Sequence, residues 1–260
     1  MRFLAGVPAL LLTACWLLPA QSSSQRASTA PNKPDPSPSR PPAPAEKLTF
    51  DVEWRLIHAG AVVIESRNSR AQMKLESAGL VSTLFKVNNT YSVDYDEGLC
   101  ASGSLMDLQE GKRHREITVT YDRQQSRATF LERDLVKNTV IRSAEVEIPN
   151  CVNEVVSGLL HLRALNLEPG QSAQFSMSDG RRSAAARVEA QEREELTTPA
   201  GKFGAIRYEA YLLNGVVYSR KGRSFVWLTD DARRLPVQIR LRMQFPIGTV
   251  TLQLQKEERL

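Results

Sequence analysis

The sequence is poor in the residues that carry chemistry. Its 260 residues include only three cysteines and three histidines. Cys15, Cys100 and Cys151 form no C-x-x-C pair, and His58, His114 and His161 each lack a second ligand at i+2, i+3 or i+4, so no zinc or iron signature exists. A GxSxG elbow, a P-loop, a GxGxxG turn and an HExxH helix are also missing. Asp230-Asp231 is a paired carboxylate, but neighbouring strand residues face opposite sides, and Asp-Asp-Ala-Arg-Arg ahead of a new strand is turn chemistry. Glu192, Glu194 and Glu195, set among arginines, read as a solvated strand edge. The sequence therefore assigns no catalytic, cofactor-binding or metal-binding residue and implies no cofactor. The expectation is a protein that is not an enzyme.

An excess of one charge is nearly absent too. The chain carries +5, yet five of its 34 basic residues (Arg2, Arg26, Lys33, Arg40, Lys47) and two of its 29 acidic ones (Asp35, Glu46) precede Leu48, leaving +2 on the remainder. A near-neutral domain argues against a general phosphate-binding surface, so no nucleic-acid partner is expected. The basic run Arg220-Lys221-Gly222-Arg223 reads as a soluble hairpin turn, with a phosphate or headgroup contact as the alternative.

Long apolar runs are confined to the amino terminus. Met1-Arg2 followed by the apolar stretch Phe3 to Leu18, ended by Pro19, is short for a span of ~20 residues and fits an export signal over residues 1–20. Ala20-Gln21-Ser22 suits ordinary cleavage, while Leu12-Thr13-Ala14-Cys15 resembles a lipobox that would lipidate Cys15; an uncleaved anchor is the third reading. All three place the domain outside the cytoplasm, in the periplasm or cell envelope. Membrane contact is expected only through this N-terminal anchor. Residues 21–47 hold half of the 14 prolines and no large apolar side chain, so they read as an extended, disordered tether. Residues 48–260 form the single folded domain.

What the domain has in quantity is alternation. Leu48 to Leu56 places apolar and polar residues on opposite faces over nine positions. The period of two returns at 91–95, 116–121, 128–130, 146–148, 203–213, 237–241 and 250–254. Turn chemistry separates the runs at His58-Ala59-Gly60, Glu97-Gly98, Glu110-Gly111-Lys112, Asp179-Gly180, Pro199-Ala200-Gly201 and Pro246-Ile247-Gly248. This predicts roughly 13 to 15 strands of an all-β domain. Residues 181–195 are rich in alanine and charge, but the turns on both sides favour a strand over a helix.

One segment, 151–165, has helical spacing: Val152, Val155, Val156, Leu159, Leu160 and Leu162 fall on one face. Asn150 is the expected cap, and Asn153, Ser157 and His161 make an opposite polar face. The fold class expected is thus one curved antiparallel sheet or open barrel packed with a single short α-helix. With Cys15 removed or lipidated, Cys100 and Cys151 remain as disulfide partners in an oxidising compartment, two buried thiols being the alternative.

Leu48 to Gly60, Thr198 to Phe203 and Phe225 to Val237, together with Glu110-Gly111-Lys112 and the helix ending Leu162-Arg163, resemble the exported bacterial family called domain of unknown function 3108. The resemblance covers Leu48 to Leu254 and carries no catalytic residues. It implies a cell-envelope protein and, at the level of fold, a sheet and helix like those of lipoprotein-carrier proteins. The functional expectation is binding of a lipid-like or other hydrophobic ligand on the curved sheet. The alternatives are a scaffold for other envelope proteins without a small ligand and, third, a hydrolase with a non-local site.

Overall fold

A computed structural model describes residues 45–211, 222–244 and 248–260. Among them, 14 strands form one antiparallel sheet, in the order β8-β7-β6-β5-β4-β3-β2-β1-β14-β13-β12-β11-β10-β9. One half is a meander of β1 (Glu46–Trp54), β2 (Ile57–Arg67), β3 (Arg70–Ser77), β4 (Val87–Tyr95), β5 (Ala101–Glu110), β6 (Arg113–Asp122), β7 (Arg127–Asp134) and β8 (Thr139–Glu147). The other half is β9 (Ser172–Ser178), β10 (Ser183–Thr198), β11 (Gly201–Ala210), β12 (Gly222–Thr229), β13 (Pro236–Met243) and β14 (Thr249–Arg259). The two halves join where β1 pairs with β14, from Glu46↔Arg259 to Trp54↔Val250. Residues 181–195 fall largely in β10, as the flanking turns predict.

The alternation does its work on β1, where Glu46, Leu48, Phe50 and Val52 are buried and the residues between them are only half-buried. Leu48, Phe50 and Val52 join one core cluster, and a second forms around Ile206, Tyr208 and Leu228. Fully burying each large apolar side chain contributes about 1.5–3 kcal/mol.

The β1–β2 turn lies elsewhere than predicted. His58-Ala59-Gly60 is inside β2, and the turn is Arg55-Leu56, with φ of 52° and 68°. Two left-handed residues are what a tight hairpin requires to match strand twist, and Asn-Gly usually supplies them. Here an arginine and a 92% exposed leucine do so.

Two helices accompany the sheet, where a single one was expected. Helix α1 (Gly79–Leu84) bridges β3 and β4, and none of its residues is buried. Its six residues are too few to display a helical period. Helix α2 (Val155–Ala164) is the predicted one, but it starts four residues later than the pattern suggested. Its cap is Glu154, not Asn150: the Glu154 carboxylate accepts from Val156 N at 2.8 Å, while Ser157 Oγ accepts from Glu154 N at 2.9 Å. The polar face does not meet water. Asn153, Ser157 and His161 are all buried, as is Arg163. His161 stacks on Phe175 at 4.6 Å between centroids, and Arg163 ion-pairs with the equally buried Glu46 while donating to Arg234 O at 3.0 Å.

Strands β8 and β9 do not pair, so the sheet is open, and other groups cross the gap. Val152 O accepts from Ala101 N at 2.8 Å, and Asn153 exchanges backbone hydrogen bonds with Ser176 and Ser178 of β9. The Cys100–Cys151 disulfide fixes the same strip. Beyond it, Tyr121 of β6 donates to Ser178 O at 3.2 Å. Gly180, at φ +80°, fits against Val119 and Phe130 where any Cβ would come within 2.6 Å of Val119.

Candidate functional site: an apolar cavity beneath α2

Between α2 and the inner face of the sheet lies a cavity of about 300 Å³. Its floor comes from both halves: Val52, Val62, Ile64, Met73 and Leu75 on one side, and Val226, Ile239, Leu241, Val250 and Leu252 on the other. Strand alternation puts these side chains inward, with polar neighbours such as Glu53, Arg240 and Thr251 on the outer face. The roof is Val155, Val156, Gly158, Leu159 and Leu162 of α2, with Phe175 and Met177 of β9 behind. Gly158 brings the helix close: a Cβ there would approach Met177 Sδ to 2.9 Å.

The lining is almost free of polar groups. Among the described residues, Ser224 and Tyr91 are its two hydroxyl residues, and Ser224 is satisfied internally by donating to Ala210 O. Burial pushes the Tyr91 phenol above its ordinary value, so it stays neutral. A cavity of this size is about twice the ~150 Å³ apolar void known to stay dry and take benzene, and it reaches the lower end of ligand-pocket volumes.

The cavity sits toward one end of the sheet. Val250 and Leu252 open β14, Ala210 closes β11, and Val52 is two residues from the end of β1. All of these lie toward the Arg55-Leu56 turn. Val155, Leu159, Met73, Leu75, Leu241 and Val250 keep partial solvent exposure, so the space is not sealed. Toward the opposite end, the Arg163–Glu46 pair lies across the C-terminal turn of α2.

Near the start of α2, Glu154 is buried and has no cationic partner among the described residues. Desolvation pushes its carboxyl up to about 7, against the backbone N–H groups of Val156 and Val155, which hold it down. Tyr121 is raised by burial and, secondarily, by Glu154.

The other residues singled out from the sequence lie apart. His58 pairs with Asp51 and His114 with Asp107, each at 2.8 Å. Asp230 meets Arg193 at 2.7 Å, whereas Asp231 accepts from Thr229 Oγ1 and Arg233 N, as a turn residue does. Glu192 and Glu194 both pair with Arg207. Among the described residues, no group of three or more His, Cys, Asp or Glu is placed to hold a metal. Cys100 and Cys151 are bonded, with Cα atoms 5.1 Å apart. Cys15, Arg220 and Lys221 lie outside the described residues. Arg223 is described and pairs with Glu209 at 2.7 Å.

A second feature, which the sequence reading missed, lies on the outer face of β11–β13. Arg207, Arg223 and Arg242 all stand over Phe225, and Arg240 stands over Trp227 at 5.1 Å. Burial lowers Arg240 below its ordinary value, and the neighbouring Arg242 and Arg207 push the same way. Cross-strand register brings these residues together from three strands, so no local motif announces them.

Solved structures of low sequence identity align with this chain. A beta-barrel-like protein of the domain of unknown function DUF1849 from Brucella abortus aligns over 85% of this chain and 100% of its own, at 8% identity and a TM-score of 0.57. A DUF1089-family protein from Pseudomonas aeruginosa covers 71% of this chain and 90% of its own (12% identity, TM-score 0.39). A protein described as exported, with a YmcC-like fold, from Bacteroides fragilis covers 85% and 99% (10% identity, TM-score 0.31). The first of these shows the fold alone. No curated protein is significantly similar in sequence. Residues 49–255 match the family described as protein of unknown function (DUF3108), and since that is most of the chain, the chain belongs to this family.

Proposed function

We propose that this is an exported cell-envelope protein that holds a single apolar chain, such as the acyl chain of a lipid, in the cavity beneath α2 and performs no reaction on it. The observation that carries the reading is the cavity: about 300 Å³, lined from ten strands and one helix and almost wholly apolar. The export signal in the sequence and the disulfide support the location. Since benzene fits a void of ~150 Å³, this space accommodates on the order of twelve carbons.

Each buried methylene contributes about 0.8 kcal/mol, about fourfold in affinity. For fatty acids of increasing length titrated into delipidated protein, affinity is expected to rise by about that factor per methylene and to level off near twelve carbons. Ala210→Leu and Ser224→Leu, which place bulk in the cavity, should lower the affinity while leaving the thermal midpoint within a few degrees. Affinity independent of chain length, or unchanged in both variants, would sink the reading.

A scaffold role has one observation in its favour. The outer edge of β8 pairs with no further strand among the described residues, and Val140 and Ile141 beside it are 58% and 48% exposed. Strand addition there by another protein would use the free backbone groups, and cross-linking from β8 would detect it.

A further inference from the structure

The turns at the two ends of the sheet differ in a way that the core does not explain. Because β1–β8 is an uninterrupted antiparallel meander, the turns β1–β2, β3–β4, β5–β6 and β7–β8 must share one end. They are Arg55-Leu56, Ala78 to Lys86, Gly111-Lys112 and Leu135 to Asn138. Each carries one cation, namely Arg55, Lys86, Lys112 and Lys137, and none carries a carboxylate. At the opposite end Asn68-Ser69 is uncharged, Asp96 and Glu97 stand between β4 and β5, and the one cation, Arg123 between β6 and β7, is paired with Asp96 at 2.7 Å. With strands ~4.8 Å apart, the four basic turns are spread over roughly 30 Å.

The same end carries most of the exposed large apolar side chains. Leu56 is 92% exposed, Leu84 75%, Val136 66%, Leu80 62% and Phe85 53%. Helix α1 buries none of its residues, yet its ends are tied down: Ala78 N donates to Ala59 O, and Gly111 N donates to Lys86 O, each at 2.8 Å. Arg55 N donates to Thr249 O, and Arg242 pairs in register with Thr249, so Arg55 and Arg242 extend the cationic rim along the outer face. Two carboxylates lie among these cations: Glu53 beside Arg55 and Arg242, and Asp134 beside Lys112 and Lys137, where it accepts from Val136 N and Lys137 N. Exposed apolar groups interleaved with cations suit a bilayer interface whose headgroups are anionic.

We propose that the Arg55 end of the shell docks on the surface of an anionic lipid bilayer. Leu56, Leu80, Leu84, Phe85 and Val136 enter the interfacial layer, and Arg55, Lys86, Lys112 and Lys137 face the headgroup phosphates. The cavity lies toward this same end, but docking does not depend on the cavity being occupied. It is also distinct from the N-terminal anchor expected from the sequence.

Hydrogen–deuterium exchange of the full chain tests this locally, whatever the amino terminus does. Vesicles containing 30% phosphatidylglycerol in phosphatidylcholine are expected to slow exchange in residues 78–86 and 135–138 but not in 123–126, at the opposite end. Pure phosphatidylcholine vesicles should protect those turns far less. At about 1 kcal/mol per cation near a charged surface, Lys86→Gln/Lys112→Gln/Lys137→Gln should weaken the interaction on the order of a hundredfold. Leu84→Ser/Phe85→Ser should weaken it on both kinds of vesicle, with exchange in the core strands confirming that each variant is folded. Protection of α2 reports filling of the cavity, so that reading and this one can fail separately. Equal protection at both ends, equal protection by the two kinds of vesicle, or no change in either variant would overturn the proposal. So would concentration-dependent protection of the same turns without vesicles, which would assign this end to a second copy of the chain.

Discussion

Replacing Glu154 by glutamine is expected to stabilise the protein above neutral pH and to leave it nearly unchanged in acid. The Glu154 carboxyl is buried at the cap of α2, near Tyr121 of β6 and Tyr91 of β4 and with no cation beside it among the described residues, and its folded pKa is raised from 4.5 to about 7. Between those values the folded protein binds more protons than the unfolded chain. Stability is therefore fully present below pH 4.5 and is lost as pH rises to about 7. At 1.36 kcal/mol per pH unit, the loss amounts to about 3 kcal/mol. Glutamine keeps an oxygen that can accept from Val156 N but cannot ionise, so the variant escapes this loss. Urea denaturation of both proteins at pH 4.5, 6 and 8, with the disulfide intact, should show a difference growing from near zero to about 3 kcal/mol at constant slope. Other titrating groups act alike in the two proteins and cancel. A difference that does not change with pH would refute the reasoning.

Two further outcomes follow from the way the open sheet is held together. Cys100→Ser/Cys151→Ser removes a cross-link between residues 51 apart, which on the chain-entropy model costs about 4 kcal/mol, read from the denaturation midpoint. Arg163→Met leaves Glu46 buried without its cation and should cost about 3–5 kcal/mol, whereas Arg163→Met/Glu46→Leu should recover most of that loss in the same assay.

The strands were legible because each buries one face, so β1, β4, β6, β13 and β14 announce themselves by alternation. What failed was whatever depends on a distant partner. Asn153, Ser157 and His161 look like a polar helix face, yet their partners are Leu99 O, the Glu154 cap and Phe175 on β9, and Arg163 pairs with Glu46 at the start of β1. Glu46 itself reads as the end of a tether, because nothing near it in sequence reveals an ion pair 117 residues away. Arg55-Leu56 escaped notice as a turn because neither residue favours a left-handed backbone, and α1 was too short to show a period. The sequence suggests a greasy concave face, but whether that face is filled depends on how closely Gly158 lets α2 approach, a matter of three-dimensional packing.

The pairing of β1 with β14 makes the shell a cyclic permutation of a simpler object. Read from β9 through β14 and on from β1 to β8, every strand would neighbour the next one along the chain. Ala45 O and Leu260 N are already joined by a 3.0 Å hydrogen bond. A gene rewired to connect those two points and to start after Pro149 would encode the same sheet with only hairpin neighbours. It should fold faster, because it no longer requires segments about two hundred residues apart to meet.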